Sequence, residues 1–242
     1  MGRKVHPTIH RTQVIYTWNS RWFAKKKDYA TFVVQDIRIR EYLKKKFKDA
    51  HIDAIGLERG PKNIIVTILA AKPGFIIGRG GKGLDEVRKH IERKILQMKT
   101  RVKINVREVR SPALSAAVVA QTIAGDTERR VRYRRTMKQA IERVMKAGAK
   151  GVKVKMSGRL NGAEIARTET LYRGKIPLIT LRSDIDYALV EAQTIYGKIG
   201  IKVWVYLGEV FGRKDKFAES KTEGDAAKKN TSRRSPSRKN TK

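Results

Sequence analysis

The sequence predicts an α+β fold with two cores, and three observations carry that expectation. Over residues 40–110 the apolar patterning runs helix, strand, strand, helix, glycine-rich loop, helix, strand. At Ser111-Pro112 the pattern breaks, because proline restricts the residue before it and commonly sits just inside a new helix. Over residues 111–212, helical stretches give way to alternating strands, which calls for helices packed on a small mixed or antiparallel sheet. At 242 residues, 40% of them hydrophobic, the chain can bury two ordinary cores.

The N-terminal section, residues 1–39, is a basic arm followed by the start of the first helix. Arg3, Lys4, His6 and Arg11 precede the aromatic run Trp18-Asn19-Ser20-Arg21-Trp22-Phe23. Pro7 prevents a regular helix across His6 and His10, so their four-residue separation is not expected to hold a metal. Trp18, Trp22 and Phe23 suit either core packing or stacking on bases. A helix over residues 29–47 offers Phe32, Val33, Ile37, Ile39, Tyr42, Leu43 and Phe47 as an apolar side. Lys44, Lys45, Lys46 and Lys48 crowd its C-terminal turn, where cations suit the dipole, and fit a solvated face as well as a phosphate contact.

Strands over residues 52–59 and 63–69 flank Gly60-Pro61-Lys62, and a third over residues 101–109 alternates Val102, Ile104 and Val106 with Lys103, Asn105 and Arg107. Past the break come an alanine-rich helix over residues 113–125 and a strongly basic one over residues 127–147. In the basic helix Tyr133, Met137, Ala140 and Val144 form one stripe, while Arg134, Arg135 and Lys138 cluster opposite. A strand over residues 152–160 and a turn over residues 158–164 follow. The spacing then predicts a strand over residues 177–181 and a helix over residues 185–195, begun by Ser183 with Asp186 three residues on. The last strand, residues 201–207, sets Val203, Val205 and Leu207 on one face and Lys202, Trp204 and Tyr206 on the other. Residues 213–242 hold too little apolar surface to fold alone and read as a disordered basic tail.

The loop Gly78-Arg79-Gly80-Gly81-Lys82 sits between Phe75-Ile76-Ile77 and a helix whose face is Leu84, Val87, Ile91 and Ile95. Its only bulky side chains are Arg79 and Lys82, so phosphates could approach bare backbone N–H groups at Gly78, Gly80 and Gly81. The spacing Gly78-x-Gly80-x-x-Gly83 formally matches the dinucleotide-binding fingerprint, but Pro73-Gly74 interrupts the strand and the downstream run Lys99-Thr100-Arg101-Val102-Lys103 is basic where an acid is needed. A phosphate-binding P-loop fails too, since Leu84 follows Gly83 where Lys-Ser/Thr belongs. Element order and loop together resemble a KH module of the prokaryotic type (type II), in which a GXXG loop between two helices clamps a nucleic-acid backbone.

The formal net charge is +33, from 56 Lys and Arg against 23 Asp and Glu. Residues 213–242 hold 11 basic and 4 acidic residues, a net of +7, so +26 lies on the preceding body. Self-repulsion on that scale points to a polyanionic partner along an extended surface. Cysteine is absent, which removes thiol chemistry and thiolate metal sites. No apolar run reaches the roughly eighteen residues of a membrane span, and no secretory or acylation signal is present. A soluble intracellular protein is expected, with no membrane partner.

Longer stretches then resemble one family. Met1-Gly2-Arg3-Lys4-Val5-His6-Pro7, Glu128-Arg129-Arg130-Val131, Arg134-Arg135-Thr136-Met137-Lys138, the run from Ser157-Gly158-Arg159 through Ala166-Arg167-Thr168-Glu169, Ser183-Asp184-Ile185-Asp186-Tyr187 and Gly200-Ile201-Lys202-Val203-Trp204-Val205 are similar to the bacterial-type S-three family of small-subunit ribosomal proteins. The resemblance covers residues 1–209. It implies a structural RNA-binding protein in the head of the small ribosomal subunit, without enzyme activity, metal or cofactor. Its implied partners are ribosomal RNA, messenger RNA and neighbouring head proteins, ribosomal proteins ten and fourteen of the small subunit, in a cytoplasmic or organellar ribosome. It assigns Arg134, Arg135 and Lys138 to the channel where messenger enters, with a part in unwinding; Arg129, Arg130, Arg132, Arg159 and Arg167 are expected to make further RNA contacts. Gly80 departs from the family, where many relatives carry lysine. A free-standing KH regulator would leave the second basic domain unexplained, and an enzyme would need a general base beside a nucleophile that this sequence does not offer.

Overall fold

A computed structural model of the chain describes residues 4–61, 63–98 and 100–217. Residues 218–242 of the tail assigned to 213–242 lie outside them, as does Lys62 of the predicted turn. Helix α1 (Pro7–His10) begins on Pro7, whose missing N–H is no loss in a first turn. Strand β1 (Ser20–Arg21) and helix α2 (Lys26–Lys46) follow, then β2 (Ile52–Arg59), β3 (Asn63–Ala70), α3 (Gly74–Ile77), α4 (Lys82–His90) and β4 (Arg101–Glu108). The sheet runs β1-β2-β3-β4, with β2 and β3 antiparallel and β3 and β4 parallel. A parallel pair needs a crossover, and α3, the glycine loop and α4 supply it. Ile39 and Leu43 of α2 meet Leu57, Val66 and Ile68 of the sheet and Val87 and Ile91 of the crossover in one buried core. This is the KH order read from the sequence.

The aromatic run of the arm divides. Trp22 packs on Tyr29 and Phe32, and its indole N–H donates to buried Asp36 at 2.8 Å. Trp18 and Phe23 stay 60% and 94% exposed. Asp36 also accepts from the Nε of Arg59 at 2.9 Å, so an ion pair sits inside α2's inner face.

In the second half, α5 (Ala116–Glu128) and α6 (Tyr133–Lys146) cover one face of an all-antiparallel sheet ordered β6-β5-β8-β7. Its strands are β5 (Gly151–Gly158), β6 (Arg167–Gly174), β7 (Ser183–Thr194) and β8 (Gly197–Glu209). Tyr133, Met137, Ala140 and Val144, the predicted stripe, are all buried against Val152, Val154, Met156, Val203 and Val205. The two helices are separate because Arg130 turns left-handed, at φ +63°, between them. The opposite sheet face carries a smaller cluster of Ile185, Trp204 and Tyr206, with Tyr187 partly buried beside it. The N-terminal arm covers part of this face, with His6 edge-on to Tyr187 at 4.6 Å.

Three expectations are corrected here. Residues 185–195 are not a helix but most of β7. Ile185, Ala188, Leu189 and Ala192 match helical spacing, yet Ala188 and Ala192 face the main core while Ile185 packs in the smaller cluster on the other face and Leu189 stays exposed, so apolar residues fall at even and odd positions alike. Pairing with β8 through a short hairpin outweighs the helical preference of alanine, leucine and glutamate. Asp186 accordingly caps a different helix, accepting the Ala116 N–H of α5 at 2.8 Å. Residues 177–181 form no strand; the carbonyls of Pro177, Leu178 and Thr180 instead accept from the fully buried Arg11 guanidinium. The fourth strand is β6, where Thr168, Thr170 and Tyr172 supplied a β signal that a polar edge-strand composition obscured.

The predicted tail also begins too early. The backbone N–H of Lys214 donates to Ile15, Lys216 reaches Asp186 at 2.9 Å and Asp53 at 3.7 Å, and the Phe217 ring lies over Gly56. Burial works against its charge, but Asp186 and Asp53 still hold Lys216 above the ordinary lysine range. Ser115 donates to Asp53 at 2.6 Å and Gln121 to the Ile52 carbonyl at 2.8 Å, so polar contacts tie the two cores together. Among the described residues no helix is long and apolar enough to cross a membrane.

Candidate nucleic-acid interface

Most of the basic residues singled out from sequence lie on two surfaces. The first is the glycine loop. Gly78 ends α3 at φ +70° and ψ 178°, a region open essentially to glycine alone, and a Cβ there would stand 3.1 Å from the Gly83 nitrogen. Its N–H is not bare as expected: it donates to the Gly74 carbonyl at 3.0 Å. Gly83 lacks a side chain for a separate reason, since a Cβ would meet the Ile76 carbonyl at 2.9 Å where α3 and α4 cross. Gly80 and Gly81 are left-handed as well, at φ +61° and +78°, with open space above both. A side chain at position 80 would therefore fit in volume and cost only backbone strain; glycine here relieves that strain and omits a charge. Arg79 and Lys82 are exposed and without side-chain partners among the described residues.

These facts decide how the loop is tested. Placing aspartate at Gly78 would distort the turn, whereas Arg79→Glu with Lys82→Glu changes only charge. That double variant is expected to lower RNA affinity roughly tenfold or more with an unchanged circular dichroism spectrum. Filter binding checks it; unchanged affinity would leave the loop a purely structural turn.

The second surface is the corner between α5 and α6. Arg129, Arg130 and Arg132 lie in the connection, exposed and unpartnered among the described residues. On α6, Arg135 and Lys138 are likewise exposed and free of partners, on the side away from the buried stripe. Arg134 differs. Its Nη2 donates to Oε1 of Glu169 at 3.2 Å and its Nε approaches Oε2 at 3.4 Å. Arg167 joins the same group, donating through Nη2 to the Tyr133 hydroxyl at 3.0 Å, and that hydroxyl donates to Glu169 at 2.6 Å. Hydrogen bonds from Arg134 and then Tyr133 hold the Glu169 carboxyl below the usual range.

Arg159 is turned to another task. Its Nε donates to the Ala163 carbonyl at 2.9 Å and its guanidinium lies over the Tyr196 ring at 5.3 Å, locking the loop after β5 onto the β7–β8 hairpin. Lys46 is engaged as well, 3.4 Å from Glu86, while Lys44, Lys45 and Lys48 remain exposed. The residues that sequence reasoning missed are Glu169 and the Tyr133 hydroxyl. Tyr133 was read as part of the buried stripe, and it is buried; nothing in the pattern marked its hydroxyl as the link between two arginines.

Family models match both halves: "KH domain" over residues 38–114, and "Ribosomal protein S3, C-terminal domain" over residues 123–205. The small ribosomal subunit protein uS3 of Caldanaerobacter subterraneus subsp. tengcongensis is 52% identical over 210 residues, covering 87% of this chain and 94% of the relative. Its counterpart from Bacillus cytotoxicus is 50% identical over 219 residues, 90% of this chain and 98% of the relative. That of Alcanivorax borkumensis is 45% identical over 229 residues, 95% of this chain and 98% of the relative. Identity of this order across nearly the full length of both chains, with both domains matched in order, places the chain in the uS3 family of small ribosomal subunit proteins.

Proposed function

We propose that this chain is a structural constituent of the head of the small ribosomal subunit. It binds ribosomal RNA through both cores and lines the channel by which messenger enters, and its α6 face helps hold the strand as it unwinds. Its neighbours in this reading are ribosomal proteins ten and fourteen of the small subunit, and its location is the ribosome. The KH loop and the arginine-rich corner serve as phosphate contacts, which position an RNA without reading its sequence.

The observation that carries the reading is the state of Arg135 and Lys138. They are three residues apart, hence neighbours on α6, and like charges so placed repel. Neither has an ion-pair partner among the described residues. A phosphate chain passing over the helix supplies the missing counter-charge. Replacing Arg134, Arg135 and Lys138 together by alanine leaves the buried face of α6 untouched, so subunits should assemble normally. Translation of messengers with a stable hairpin near the entrance should slow, while unstructured messengers are read at the wild-type rate. Equal slowing of both, or of neither, would contradict the proposal.

A further inference from the structure

We propose that Glu169 is a positioning residue for messenger contact: it fixes the Arg134 guanidinium in one orientation, with its outer edge presented to a phosphate. The inference rests on the α6 face acting as proposed above and names a residue outside that face. Glu169 is on β6, held in register with Met156 of β5, so its backbone belongs to the sheet and not to a loop. Its carboxylate is fixed from a second side by the Tyr133 hydroxyl at 2.6 Å. Tyr133 is itself buried, and its oxygen also accepts from Arg167 at 3.0 Å. Arg134, whose side chain is 70% exposed, is therefore tied to an anchored acceptor through Nε and Nη2. A guanidinium has five N–H donors in a planar fork. Two face Glu169, which leaves both hydrogens on Nη1 and the second on Nη2 as a flat edge turned away from the carboxylate. That edge has the bidentate geometry a phosphate accepts.

The arrangement has a cost that makes it testable. Glu169 neutralises part of the local charge, so it weakens general attraction for RNA while it orders one contact. The two effects have opposite signs. Glu169→Gln keeps an oxygen for the Tyr133 hydroxyl and removes the charge that holds Arg134. In the purified full chain it is expected to raise affinity for unstructured single-stranded RNA and to steepen the salt dependence by up to about one phosphate contact. In small subunits carrying the variant, hairpin-bearing messengers should be translated roughly threefold more slowly, in keeping with the modest value of one exposed ion pair. Unstructured messengers should be unaffected.

Arg134→Lys provides an independent arm, because it preserves charge but cannot make the two-point contact. It should reproduce the hairpin-specific slowing, and combining it with Glu169→Gln should add little. If the triple alanine variant slows hairpin messengers but both single variants translate them at the wild-type rate, the positioning role is wrong and the α6 proposal stands. If the triple variant has no hairpin-specific effect, the α6 proposal itself fails. Slowing by Glu169→Gln with no slowing by Arg134→Lys would also overturn the inference, since it would locate the effect in charge and not in orientation.

Discussion

Asp36→Ala is expected to destabilise the KH core by about 3–5 kcal/mol, the usual cost of stranding one member of a buried ion pair. The side chains of Arg59 and Asp36 are only 6% and 4% exposed, so water cannot replace the lost carboxylate. Asp36 also takes the Trp22 indole N–H at 2.8 Å and the Ser20 hydroxyl at 3.3 Å, and both would lose their acceptor. Arg59 would keep weaker contacts: the Gln35 side-chain oxygen at 3.0 Å, the Phe32 carbonyl at 3.2 Å and the face of the Phe32 ring at 4.7 Å. These do not neutralise a guanidinium. Urea denaturation, followed by the fluorescence of Trp22 among the three tryptophans, measures the loss. A second variant separates stranded charge from lost packing. Asp36→Leu with Arg59→Met removes both charges at similar volume and should recover most of the stability. A loss below about 1 kcal/mol for Asp36→Ala would mean that the pair is solvated in solution.

The parts of the fold that were legible in the sequence are those with local signals. The glycine loop shows because left-handed turns select glycine at each of its turn positions. The α6 stripe shows because one face is buried and the other charged, so its period stands out. Strand β7 was hidden because apolar residues line both its faces, which defeats a period-of-two test and mimics a helix. The clasp between arm and second core was illegible for another reason: Arg11 meets Thr180 across 169 positions. In a basic arm, a lone arginine reads as a phosphate ligand, and only the fold turns it inward. At the site, the cationic face was legible from composition, whereas Glu169 was not. A single glutamate in a polar strand has no spacing to distinguish it until β6 is laid beside α6.

The central claim is that the folded body, more than the tail, is an RNA-phosphate surface. The measurement that tests it most directly is a salt titration of RNA binding, made on the full chain and on a chain ending at Phe217. The body before Arg213 carries +26 against +7 for the remainder, so shortening the chain should remove only a minor share of the phosphate contacts. Each contact releases counterions, and six to ten contacts correspond to an affinity loss of roughly 10³–10⁵ between about 50 and 200 mM salt. The expected result is a straight line of log affinity against log salt, with a loss of roughly 10³ or more in that range and most of the slope retained by the shortened chain. An affinity that stays flat as salt rises, or a slope that disappears when residues 218–242 are removed, would contradict it.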